Sequence, residues 1–188
     1  MTSYLPIVSQ LSHLSHSEKT RILNELFEPC PDLTQYLIPL IFADSREYDS
    51  YGTLIEEIRR QLMVLAHRYQ DVPTPELKET IEAIVGAHPR LGTPKKTGLS
   101  SHSRNEQKTL NGGDPGLAKR LTNLNEEYEE AFPGLRYVVF VNGRSRPIIM
   151  EDMKRRIERN DCGAEILDSF NAMCDIALDR AAKFGAKL

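Results

Sequence analysis

Ala87-His-Pro-Arg-Leu-Gly92 and Ser103-Arg-Asn-Glu-Gln107 put a histidine, a serine, a glutamate and a glutamine within twenty residues of one another. The chemistry these side chains offer is proton transfer on a small polar molecule. Histidine titrates near neutrality and is the usual proton shuttle. Between His88 and Lys108, five basic side chains (Arg90, Lys95, Lys96, Arg104, Lys108) stand against one acid, Glu106. In a chain of formal charge −3 that local excess favours a small anion in a cleft. Pro89 locks the backbone beside His88, which lets the imidazole be aimed with little freedom. A histidine before proline can equally do no more than end a helix. Ser103-Arg-Asn-Glu106 has the spacing of a capping box, so both side chains can instead serve a helix terminus. Glu106 and Gln107 stand in a first helical turn, where free N–H groups suit an anionic or carbonyl-rich ligand. Arg156 shares a stripe with Ile149 and Met153, which places it at the rim of a buried cleft, ready to fork onto a carboxylate. Its alternative is a surface ion pair with Asp152.

The elements that must carry these residues are helices. Ile7, Val8, Leu11 and Leu14 open an apolar stripe, and Ser17 with Glu18 is read as the cap of a helix carrying Ile22, Leu23, Leu26 and Phe27. Pro29-Cys30-Pro31-Asp32 breaks that pattern, and Leu33, Tyr36, Leu37 and Leu40 restart it. Residues 43–52 read as a loop. Leu54, Ile58, Leu62, Leu65 and Tyr69 define the clearest helix, over 53–70. Pro75 and Glu76 start another, with Leu77, Ile81, Ile84 and Val85, which must stop at His88. Residues 114–131 form a helix on Leu117, Leu121, Leu124 and Tyr128. Tyr137–Val141 is a β-like run, too short and isolated for a central sheet. Pro147 begins the next helix, and a last one from about Cys162 to Lys183 uses Ile166, Phe170, Met173 and Ala177. The reading is one all-α domain over 1–188, a compact multi-helix fold of about eight helices.

Composition narrows the function classes. A pI near 6 argues against broad nucleic-acid or anionic-membrane binding. No apolar run approaches a membrane span, and the N-terminus has no signal-peptide pattern. Cys30, Cys162 and Cys174 are odd in number and far apart, which favours free thiols. His13 and His16 stand three apart but have no further ligand at metal spacing, so no metal is expected. No phosphate loop, dinucleotide fingerprint or nucleophile elbow is present. The enzyme class left is a cofactor-independent reaction on a small polar molecule. Ala186-Lys187-Leu188 resembles the tripeptide read by the peroxisomal import receptor. The expected location is therefore the peroxisome in a eukaryote and the cytoplasm otherwise.

Taken together, His88-Pro-Arg-Leu-Gly92, Ser103-x-x-Glu-Gln107, Leu124-Asn125-x-x-Tyr128-x-x-x-Phe132, the Tyr137–Val141 segment and the Arg156-Ile helix ending in Glu165 resemble one family. It is the family of 2-oxo-4-hydroxy-4-carboxy-5-ureidoimidazoline (OHCU) decarboxylases of urate degradation. The resemblance runs from about Leu5 to Phe184. It implies a compact helical fold, commonly a homodimer, that yields (S)-allantoin and carbon dioxide with no cofactor. It puts the catalytic pair on His88 and Glu106. Substrate contacts fall on Pro89, Ser103, Gln107, the main chain of Val138, Val139, Phe140, Val141 and Asn142, and Arg156. Two departures stand out. Arg156-Ile-Glu-Arg-Asn160 is one residue longer than the family's usual run, which leaves the arginine open between Arg155, Arg156 and Arg159. Gly112-Gly113-Asp-Pro115 also makes the junction after Gln107 irregular. The alternatives are a helical binding or regulatory module with a basic anion-binding loop, or another cofactor-free ureide lyase.

Overall fold

The computed structural model describes residues 5–43, 46–92 and 115–188. Among them are one short 3-10 helix, Val8–His13, and seven α-helices, and no strand. The α-helices are α1 (His16–Leu26), α2 (Pro31–Ile41), α3 (Tyr51–Asp71), α4 (Pro75–Gly86), α5 (Pro115–Ala131), α6 (Arg146–Arg159) and α7 (Cys162–Lys183). The long helices α3 and α7 share the most extensive interface; α1, α2 and α4 pack around them, and α5 pairs with α6.

The expected stripes are the buried faces. Leu54, Ile58, Leu62 and Leu65 of α3, with Ile166, Phe170, Met173 and Ala177 of α7, are essentially removed from solvent. Each such leucine or isoleucine contributes about 2 kcal/mol by leaving water. Several helix starts shift from their expected positions. Helix α1 is capped by Ser15 rather than Ser17: its hydroxyl accepts from the Glu18 N–H while the Glu18 carboxylate accepts from the Ser15 N–H. The serine three residues ahead of the glutamate makes the reciprocal box, and Ser17 is too close to do so. Helix α3 begins at Tyr51 because Ser50 and Thr53 cap each other there. His13 ends the 3-10 helix and His16 opens α1, so the two do not share a turn. His67 is exposed. Residues 137–141 are in no helix or strand. None of the described helices is long and apolar enough to cross a membrane.

Candidate active site

Helix α4 ends at Gly86, Ala87 caps it, and the His88 N–H donates to the Val85 carbonyl at 3.2 Å. The chain then turns through Pro89 to Gly92, whose φ of +75° suits glycine. A Cβ on Gly92 would lie 2.7 Å from Leu121 Cδ2 of α5, so the turn closes directly onto that helix. Asn125 secures it by donating to the Leu91 carbonyl at 3.0 Å. The asparagine of the Leu124-Asn125 motif is thus a tether for the histidine loop.

His88 is 5% exposed, and Arg136 donates to its carbonyl at 2.9 Å. Its Nε2 is buried, and among the described residues no group hydrogen-bonds it. Burial is the main reason that its pKa falls to about 4. The charge of Glu28 works against the fall, while those of Arg180 and Arg136 reinforce it. At neutral pH the imidazole is therefore uncharged, with one nitrogen able to accept a proton.

Glu28 and Arg180 form a pair buried to 2% and 1% exposure. Arg180 reaches Glu28 Oε1 at 2.8 Å and the carbonyls of Phe27 and Leu26 at 2.8 and 3.4 Å. The charges of this carboxylate and guanidinium both act on His88, and neither residue was singled out from the sequence. Arg180 had a sequence signal: it stands three residues after Ala177 on the stripe Ile166, Phe170, Met173, Ala177, a cation on a buried face. Glu28, between Phe27 and Pro29, had none.

Arg156 is committed elsewhere. It is buried, donates from Nε to Glu165 Oε2 at 2.8 Å and from NH1 to the Val138 carbonyl at 3.1 Å. Burial works against its charge, yet the bonds to Glu165 outweigh this and leave its pKa raised. Asp152 pairs with Arg155 instead of Arg156. Arg159 binds Glu165 and Asp168. A cleft of about 590 Å³ is lined by Val139, Phe140 and Asn142 with Arg144, Arg156 and Arg159; His88 is not in its wall. The basic patch around His88 is also reduced, since Arg90 is matched by Glu129 in a two-bond fork at 2.6 and 2.5 Å. Pro89 is half-buried beside His88. Ser103, Glu106 and Gln107, with Lys95, Lys96, Arg104 and Lys108 and the Gly112-Gly113 turn, lie outside the described residues. Among the described residues, no three His, Cys, Asp or Glu side chains converge to hold a metal ion.

An all-helical domain that buries an uncharged imidazole in the field of a buried ion pair, with no hydrogen bond to its Nε2 among the described residues, has the makings of an enzyme that moves protons. The comparisons identify which enzymes it stands among. The model of the OHCU decarboxylase family matches residues 12–182, nearly the whole chain, and the chain belongs to that family. Members are carboxy-lyases that decarboxylate OHCU in urate degradation. No curated protein matches the chain.

Proposed function

We propose that the family reaction runs here around His88, with Arg180 as the cation for the substrate's anionic end and the 138–142 main chain as its hydrogen-bonding wall. In the decarboxylation, the bond to the carboxylate breaks and its electron pair passes to the ring C=N nitrogen, which takes a proton. This leaves carbon dioxide and an enediol-like species. That species then loses its hydroxyl proton and gains one at the ring carbon, from a single face, to give (S)-allantoin. A neutral His88 is suited to take the first of these protons and return the second. Glu106, Ser103, Gln107 and Pro89 complete the contacts that the family likeness implies. The observation that carries the reading is the buried, uncharged His88, its Nε2 without a hydrogen bond among the described residues, in the field of Glu28 and Arg180.

The test generates OHCU from urate with urate oxidase and hydroxyisourate hydrolase, and follows circular dichroism of the allantoin. Rapid appearance of one enantiomer is expected; only the slow racemic background would remove the reading. We further propose a homodimer, checked by sedimentation against the 21.3 kDa chain mass, and peroxisomal import through Ala186-Lys187-Leu188. The Lys187 carbonyl accepts from the Tyr51 N–H at 2.9 Å, so the receptor must first lift the tail from the start of α3. Redirection of a fluorescent fusion to the cytosol when Leu188 is deleted would support this address.

A further inference from the structure

The irregular segment before α6 is held by its carbonyls. Arg156 donates to Val138 O at 3.1 Å, and Arg144 donates to Phe140 O at 2.5 Å and Val141 O at 3.2 Å. Arg156 is held on several sides. Its guanidinium is ion-paired to the wholly buried Glu165 at 2.7 Å, and its Cζ lies 4.7 Å from the ring centre of Tyr137 and 6.0 Å from that of Tyr128. Tyr128 in turn donates to Glu165 at 2.6 Å. The Arg144 clasp is set by a tight turn: Asn142 and Gly143 both have positive φ, and the Arg144 N–H returns to Val141 O at 2.9 Å.

In a trans peptide the N–H points opposite to the carbonyl of the same plane. Fixing the carbonyls of Val138, Phe140 and Val141 therefore fixes the N–H groups of Val139, Val141 and Asn142, directed away from the arginines. No backbone carbonyl among the described residues accepts from any N–H between Tyr137 and Asn142. Donors in a half-buried segment, left without backbone partners among the described residues, match a ligand rich in carbonyl and carboxylate oxygens.

We infer that Arg156 and Arg144 are positioning residues. They clamp the carbonyls of the 138–141 segment so that its N–H groups grip the substrate. The inference rests on the decarboxylase reading above. The experiment compares Arg144→Ala and Arg156→Lys with the wild-type chain, with Lys154→Ala as a control whose side chain pairs with Glu151 at the surface. Initial rates are taken over a range of OHCU concentrations. Loosened donors weaken a grip already present in the ground state, so KM is expected to rise about tenfold with kcat within threefold. A merely structural role would lower the active fraction instead, giving reduced kcat at unchanged KM; that result, or constants within twofold of wild type, overturns the inference. If Arg156→Lys does not fold, Arg144→Ala decides alone. A wild-type chain no faster than spontaneous decay takes down the decarboxylase reading, and the clamp with it.

Discussion

At the scale of single residues, the proposed reaction gives His88 the proton and Arg180 the charge. Replacing His88 by Asn keeps a polar side chain but removes the proton acceptor, so kcat should fall about 10²–10⁴-fold with KM little changed. A rate within fivefold of wild type would exclude the proton role. Because the imidazole is neutral down to about pH 4, kcat/KM should have no His88 inflection between pH 6 and 8. Its acid limb should fall only as pH approaches 4, and an acid limb centred near 6.5 would show that His88 is not the group that titrates. Arg180 is tied to Glu28 out of water. Arg180→Met removes the guanidinium from that buried carboxylate, at a cost of about 3–5 kcal/mol. Glu28→Gln should cost less, since an amide oxygen can still accept from the guanidinium. Urea midpoints at constant slope will order the two.

Elements set where those residues point. The histidine loop depends on Gly92, where a side chain meets both a positive φ and Leu121. Gly92→Ala should therefore destabilise by about 1–2 kcal/mol, roughly the left-handed penalty for an L residue. That is a fall of a few degrees in Tm for a domain of this size. An unchanged Tm would mean that the loop relaxes freely. The start of α3 offers a second check. A Cβ on Gly52 would lie 2.8 Å from the Leu188 carbonyl carbon, so Gly52→Ala should push the tail away and free the Tyr51 amide. Hydrogen exchange at Tyr51 should speed up while the amides in the middle of α3 keep their protection.

Over the whole molecule, the shifted pKa values define how stability responds to acid. The pKa of His88 is about 4 in the folded chain against an ordinary 6.5. Between those values the unfolded chain binds more protons, so the contribution of its burial is complete above pH 6.5 and is lost as pH falls through 4. Glu57, lowered to about 2 chiefly by its bond to Arg60, acts lower still: its smaller, solvent-screened contribution is lost between about pH 4.5 and 2. Stability of wild type should therefore decline from pH 6.5 to 4 more steeply than that of His88→Asn. Parallel declines would place the acid sensitivity elsewhere.

Periodicity alone determined the helices, because an amphipathic stripe must be buried wherever the chain goes: Leu54 to Leu65 and Ile166 to Ala177 needed no tertiary knowledge. The place of His88 was legible too, just past a helix end, beside a proline and ahead of a glycine turn. What only the tertiary structure decided is partnership. Nothing in the sequence brings Glu28, on the turn after α1, to Arg180 near the other end of the chain. Nor does it divide the arginines of the 155–159 turn between Glu165, Asp168 and Asp152. Local pattern fixes which face of a helix turns inward; which buried charges then meet depends on how separate helices pack, and charges brought out of water must find each other there.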